Sequence, residues 1–598
     1  MNKAVGTADQ PPVEATHKPP TAHNSTPKEV RKSIRRRQRR GRDVPTAIIT
    51  TVVVAILLLL TVFPLIRVFV EALGEEGFAV LKSMVSDPYP RQIIVHTLVL
   101  GLVVGAAGTL IGFILAFAQV RLEFKGKRIL NILALVPVVS PPFAVATAII
   151  TLLGRNGIIT YHLLGLENFQ IYGLKGMALV LTLSFFPVSY MNFKGLLSTL
   201  DPSLEEAAAD LGGSKWNIFT RVTLPLMAPG FAASFLLLFV EAIADLANPL
   251  VIGGDYTVLA LRAYLAITGE YNIAAGAAYS LILLVPSILV FVIQQYWIGK
   301  KSTVTVTGKP AGQKKLIKDN KWRIPILSVV ALIVGVIVTL YATVIIGSFV
   351  NILGVDNTWT LDNYRYVLSG IGNEAIMDTT LMALIATPLA AFLSMVIAWL
   401  VVRKLRHGNG LLDFLGMLGL AVPGTVVGIG YAITFNNPVI FGNRMFLPAL
   451  GGGGAIFGGA MAIVMVYIIR SVPSGQRTAV ATLQQISPSI EEASASLGAD
   501  SFQTFRKVTL PLIKPALATG LVYAFARAMT TLSPVIFLAT PEVQIMTKKI
   551  FAEVDAGRYG NAFAFSMVLF AIVLLVIILI QLILGDGWTK LKKKLIRK

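Results

Sequence analysis

The sequence contains no cysteine, and its five histidines (His17, His23, His96, His162 and His407) are scattered over 598 residues. The first absence excludes disulfides, cysteine-ligated zinc and iron–sulfur clusters. The histidines show no metal-ligand spacing. Charge is scarce as well: Asp, Glu, Lys and Arg make up 14% of the chain against 55% hydrophobic residues, with mean hydropathy +0.73. Soluble globular domains carry about a quarter charged residues, so that class is excluded. Acid is the scarcer sign, 31 Asp and Glu against 52 Lys and Arg, for a net charge of +21. No Gly-x4-Gly-Lys-Ser/Thr phosphate loop occurs, so ATP hydrolysis is not expected on this chain. A membrane enzyme would need clustered catalytic groups, which are also lacking.

What the chain does have is apolar runs of bilayer-spanning length. About twelve spans are expected, at roughly 47–70, 96–119, 130–153, 173–194, 228–252 and 274–298, then 324–350, 379–402, 411–434, 454–473, 516–540 and 562–584. Basic residues mark one side: Arg121, Lys125, Lys127 and Arg128 follow the second span, and Arg403, Lys404 and Arg406 follow the eighth. The positive-inside rule then puts both termini and the middle linker in the cytoplasm. The expected plan is a disordered basic tail (1–45), a first half (46–298), a basic linker (299–323), a second half (324–585) and a basic tail (586–598). Lys28–Arg42 contains nine Lys or Arg and reads as a topology determinant that contacts anionic lipid. With no aromatic interleaved it does not read as a nucleic-acid site.

A polar segment between apolar ones occurs twice. Glu206-Ala207-Ala208-Ala209-Asp210-Leu211-Gly212 runs on to Val222-Thr223-Leu224-Pro225, and Glu492-Ala493-Ser494-Ala495-Ser496-Leu497-Gly498 to Val508-Thr509-Leu510-Pro511, at an offset of 286 residues throughout. Ser203-x-x-Glu206 and Ser489-x-x-Glu492 read as capping boxes. The glycines permit a turn closed to other residues, and a second amphipathic helix is expected to stop at Leu-Pro. The product is a helix–turn–helix knob on the cytoplasmic face, presented twice (201–226 and 487–512), with its register kept as a docking surface requires.

The pattern Glu-Ala-Ala-x3-Gly-x9-hydrophobic-x-Leu-Pro resembles the signature loop of permease subunits in bacterial ABC importers; Ser494 departs from it in the second copy. The resemblance implies an all-α integral membrane protein with two homologous six-helix halves of type I importer architecture. It implies that Glu206, Ala207, Gly212, Pro225, Glu492, Ala493, Gly498 and Pro511 couple the chain to two copies of a cytoplasmic ATPase subunit. ATP would be bound by that partner, with no cofactor in this chain. A periplasmic or lipid-anchored solute-binding protein would deliver the solute, with the chain in the bacterial inner membrane. The fused arrangement looks most like the ferric-iron permease group, on the stretches Asp245–Gly254 and Arg527–Leu538. Ferric iron is therefore the first expectation for the solute, with aminoethylphosphonate, sugar phosphate or thiamine as alternatives. A secondary transporter, which needs no ATPase, is the competing class.

Charges inside spans are costly and are usually paired or functional. Glu241 and Asp245 fall in the fifth span, and Arg527 falls in the eleventh at the position matching Glu241. An interhelical ion pair is expected, either opened during transport or permanently structural. Asp245, Asn248, Thr530, Thr531 and Ser533 would line the path beside it. Pro137, Pro141, Pro142, Pro249, Gly253, Gly254, Pro423, Gly424, Gly428 and Gly430 either line a cavity or only kink helices.

Overall fold

In the computed structural model, residues 44–295, 316–405, 407–441 and 444–584 are described. The tail up to residue 43, the linker up to residue 315, Arg406 and the tail from residue 585 were all given expectations above and lie outside the described residues. Among the described residues, ten helices are long and apolar enough to cross a membrane, or up to twelve when two bent pairs each count as one span. Among the described residues the fold is all-α apart from two short hairpins in the second half, β1 (Val350–Ile352) with β2 (Asp356–Trp359) and β3 (Val439–Phe441) with β4 (Arg444–Leu447).

Eight spans follow the expected order as Thr46–Ala72, Pro88–Arg121, Leu174–Thr199, Ile273–Ile293, Asn320–Ser348, Gly370–Lys404, Ile456–Gln485 and Tyr559–Leu584. The other four differ from the sequence expectation. The third is not continuous over 130–153: Lys127–Val139 stops, and a new helix begins at Pro142. The ninth breaks likewise between Asn409–Ala421 and Gly424–Phe435, with a 100° bend. The cause is local, because a residue preceding proline is pushed out of the α region. Ser140 before Pro141 has ψ 141°, and Val422 before Pro423 has ψ 129°.

The fifth and eleventh spans end early. They stop at Ala244 and Thr530, and the next residues, Asp245 (ψ 132°) and Thr531 (ψ 125°), are extended at matching positions. A short helix, Ala247–Ile252, follows the first break. Asp245 captures the backbone N–H of Asn248 at 2.9 Å, the side-chain competition that starts a new helix rather than continuing an old one.

The Leu-Pro pairs do not end the knob's second helix as expected. Lys215–Ala244 is one span running through Leu224-Pro225. A wide π turn, Phe219–Thr223, precedes the proline and absorbs its missing N–H; Phe505–Thr509 does the same in the second copy. There the 72° bend comes after Leu512, between Phe505–Leu512 and Ala516–Thr530.

Small residues let the spans close up. The second and fourth spans meet at Gly112, where a Cβ would come within 2.5 Å of Ser189 Oγ and 2.7 Å of Tyr190 N. At the matching crossing in the second half the roles are exchanged: Ser394 sits on the eighth span and Gly475 on the tenth, 2.7 Å from a built Cβ to Ser394 Oγ. Gly112→Leu is expected to prevent closure of the first half, because backbone on the opposing helix cannot yield. The measurement is size-exclusion chromatography in detergent, where the monodisperse peak should be lost while Gly335→Ala, at a position with open space, keeps it.

The halves are interlocked. Tyr431 in the ninth span donates to Leu60 O of the first span at 2.6 Å, and Gly430 lies against Pro64 O. The seventh span packs on the third-span helix of the first half as well as on the twelfth span. One apolar core accordingly runs through residues of both halves, including Val68, Phe143, Phe239, Tyr431, Phe525 and Phe563.

Candidate functional site

Both knobs have the same construction. The first helix, Pro202–Asp210, is capped by Asp201, whose carboxylate accepts from Ser203 N at 3.0 Å. Ser487 accepts from Ser489 N at 3.4 Å in the second copy. The caps therefore lie two residues upstream of the expected Ser203 and Ser489, because the chain before the prolines is already extended. The turns close in parallel as well, Gly213 N donating to Ala208 O and Ala499 N to Ser494 O. Gly212 (φ +82°) and Gly498 (φ +86°) are left-handed, the conformation that needs glycine. The following helices are capped by Ser214 and Asp500, again at matching positions. Where the second copy departs from the pattern, Ser494 Oγ meets Thr504 Oγ1 at 3.0 Å; the first copy has Ala208 and Ile218 at these positions.

One side of each knob is open. Glu206, Ala207 and Gly212 are exposed, as are Glu492, Ala493 and Gly498. Leu211 and Leu497 are each 89% exposed. Among the described residues, none covers these apolar tips. Pro225 and Pro511 are exposed at the first turns after the π segments.

The opposite side of each knob is bound inward, through residues outside the expected coupling set. Glu205, next to Glu206, accepts two hydrogen bonds from Arg121 at the end of the second span, 2.8 Å each, and a third from Thr223 Oγ1 at 2.8 Å. Glu491 repeats this with Thr509 Oγ1 at 3.0 Å and an ion contact to Arg403 Nε at 3.4 Å. Arg403 also donates to Leu483 O and Ile486 O at the end of the tenth span, at 2.8 and 2.6 Å. The signal was present: Glu and Thr recur at the offset of 286, and the two arginines recur at 282.

The first knob is tied further to the described part of the linker. Lys215 Nζ reaches Asp319 Oδ2 at 2.8 Å, Trp216 stacks on Trp322 with ring centroids 5.9 Å apart, and Ile317 N donates to Arg121 O at 2.8 Å. Hydrogen bonds from the Lys215 ammonium and the Lys321 backbone hold the Asp319 carboxyl below its usual range. The folded value being depressed, the tie is complete at neutral pH and is lost only as pH falls through that lowered value. Trp216–Trp322 stacking, followed as the tryptophan fluorescence difference between the native chain and Trp322→Phe, is expected to survive mild acid and to vanish in strong acid. Asp319→Asn should weaken it at neutral pH.

At the seam, Glu241 Oε1 and Arg527 Nη2 stand 3.9 Å apart, each side chain 27% exposed. They are in ionic contact and still border accessible space. Asp245 holds Asn248 through both its backbone and its side-chain amide, 2.9 Å each, leaving the buried Asn248 Oδ1 without a hydrogen-bond partner among the described residues. Thr530 and Thr531 donate to carbonyls of their own helix, Ala526 O and Arg527 O. Ser533 lies against Gly424, and Pro534 against Gly428, so the broken ninth span packs on the break after the eleventh.

Arg470 was missed altogether. It donates to Gly419 O and Val422 O, 2.8 Å each, at the end of the helix where the ninth span breaks. Its charge lies within electrostatic reach of both Arg527 and Glu241. The matching first-half residue is Ser184, so the repeat carried no hint of it. Among the described residues, no group of three or more His, Cys, Asp or Glu could hold a metal ion.

The family model described as "Binding-protein-dependent transport system inner membrane component" matches residues 108–302 and again 373–587. The chain is 33% identical over 558 residues to the ferric transport system permease protein FbpB of Actinobacillus pleuropneumoniae, covering 91% of this chain and 79% of that protein. It is 35% identical over 505 residues to a putative ferric transport system permease protein, FbpB 1, of Haemophilus influenzae, covering 82% and 78%. The sulfate transport system permease protein CysT of Salmonella typhimurium is 31% identical over 196 residues, 32% of this chain and 69% of that protein. With both halves matched, the chain belongs to the binding-protein-dependent transport system inner membrane component family, as a multi-pass membrane permease that carries the family's unit twice.

Proposed function

We propose that the chain is the permease of an ATP-driven importer for ferric iron, engaging one cytoplasmic ATPase subunit with each knob. The observation that carries this is the matched pair of open tips, Leu211 and Leu497 beside Glu206 and Glu492, presented in the same register 286 residues apart. A secondary transporter has no use for two such surfaces. The basic span ends, Arg121 and Arg403 among them, lie on the knob-bearing side and support its assignment to the cytoplasm.

Ferric iron is supported by the names of the two relatives that align over most of the chain. Carboxylate and hydroxyl oxygens at the seam, from Glu241, Asp245, Thr530 and Thr531, suit a hard cation, whereas Arg527 suits an anion, so the choice of ferric iron rests on the relatives and not on the path residues. A solute-binding protein would deliver the ion on the opposite face. ATP-driven closure of the partner pair would then rock the halves about the seam, exposing the path to one side at a time.

The test is reconstitution in proteoliposomes with the co-purified ATPase and a ferric-loaded binding protein. Radioactive iron is expected to accumulate only with ATP, and loaded binding protein should stimulate hydrolysis. Accumulation without ATPase would overturn the importer reading; stimulation by sulfate-loaded but not ferric-loaded binding protein would overturn the substrate alone.

A further inference from the structure

We propose that Glu205 and Glu491 are positioning residues, each carboxylate pinning a knob to two spans at once so that movement of the knob is delivered to the seam. This rests on the importer reading above, and it concerns residues that face inward rather than toward the ATPase.

The geometry makes one carboxylate the meeting point of three elements. Glu205 lies in the first turns of the knob, Arg121 ends the second span, and Thr223 begins the long helix that carries Glu241. Arg121 is 6% exposed and has no other side-chain hydrogen-bond partner among those described, so its fork is committed to Glu205. Bidentate Arg–carboxylate pairs resist rotation as well as separation. From Thr223 to Glu241 the chain is one helix, about 27 Å at the usual rise per residue. A push on the knob at Glu205 is therefore applied to the near end of a stiff rod whose far end carries the seam charge.

The second copy has the same parts in a looser arrangement. Arg403 donates to the carbonyls of Leu483 and Ile486 and meets Glu491 through an ion contact alone. Between Thr509 and Arg527 the rod bends by 72°. The first half is thus the stiffer transmission, and the two carboxylates are predicted to be unequal.

The experiment measures ATP hydrolysed per ferric ion moved, in proteoliposomes holding the full chain, its ATPase and the ferric-loaded binding protein. Glu205→Gln should still capture the ATPase, since the open tip is untouched. It should raise the ratio about tenfold, the scale of losing charge-assisted hydrogen bonds. Glu491→Gln should raise the ratio less. Thr223→Val, nearly isosteric, removes only one of the three contacts and should move the ratio in the same direction with the fold intact.

A merely structural role predicts that transport and hydrolysis fall together with the amount of assembled complex, at an unchanged ratio; that result, or native ratios in all three variants, overturns the proposal. A larger effect at Glu491 than at Glu205 overturns the assigned inequality. If the native chain captures no ATPase, the importer reading falls and this proposal falls with it, whereas native coupling with unaffected variants removes this proposal alone.

Discussion

Leu211→Asp combined with Leu497→Asp is expected to abolish ATP-driven transport while leaving the folded chain intact. Both leucines are 89% exposed, and their part in closing the helix ends, Leu211 N donating to Ala207 O and Leu497 N to Ala493 O, is made by backbone that the substitutions keep. Their side chains lie almost wholly outside the packing of the described residues, so stability should change by about 0.5 kcal/mol or less. Binding is another matter. An exposed apolar tip that fills a partner's groove is the kind of residue that carries interface energy, and a buried carboxylate adds a desolvation cost, together about 2 kcal/mol or more per knob. Two knobs act on one assembly, so the losses multiply, to about a thousandfold in capture. Pull-down of the ATPase by purified chain measures this directly. Each single substitution should give a partial loss. Undiminished capture by the double variant would mean that the tips are not the docking surface.

Glu241→Gln is expected to destabilise the protein more than Arg527→Gln. The seam holds two guanidiniums, Arg470 and Arg527, and Glu241 is the carboxylate that interacts with both. Arg470 is fixed by carbonyls at the end of the broken ninth span and cannot move away. Without Glu241, two like charges within electrostatic reach of each other lose that counter-charge. Without Arg527, Glu241 keeps Arg470 as a counter-charge. A broken buried pair costs about 3–5 kcal/mol, but the quarter exposure of both partners allows screening, so about 1–2 kcal/mol is expected for Glu241→Gln. Thermal unfolding in detergent, with both single variants and the double, tests the order. Equal losses would show that Arg470 is electrostatically remote from the pair.

Much of this site was legible before any coordinates. The offset of 286 placed both knobs, the positive φ at Gly212 and Gly498 follows from their glycines, and Glu241 was matched to Arg527 by register alone. Detail went astray where local and regional preferences compete. Hydropathy carried the third, fifth, ninth and eleventh spans across breaks, because an average over a window is blind to one extended residue such as Ser140 or Asp245. The Leu-Pro pairs were read as stops because proline usually is one in a regular helix, and a π turn removes that conflict.

What the sequence by itself determined is whatever depends on neighbours along the chain: the number and order of apolar segments, the two-half repeat, the basic face and the knob turns. Hydropathy, charge and φ preference act at that range, and the repeat states each of them twice. The tertiary structure decided the rest. It set the first span against the opposite half through Tyr431 and Leu60, bound Glu205 to Arg121 and Thr223, and brought Arg470 within electrostatic reach of a pair it is far from in sequence. These contacts join groups from separate spans, and which side chains meet is settled only when small residues such as Gly112 and Gly475 let the helices close to a particular crossing.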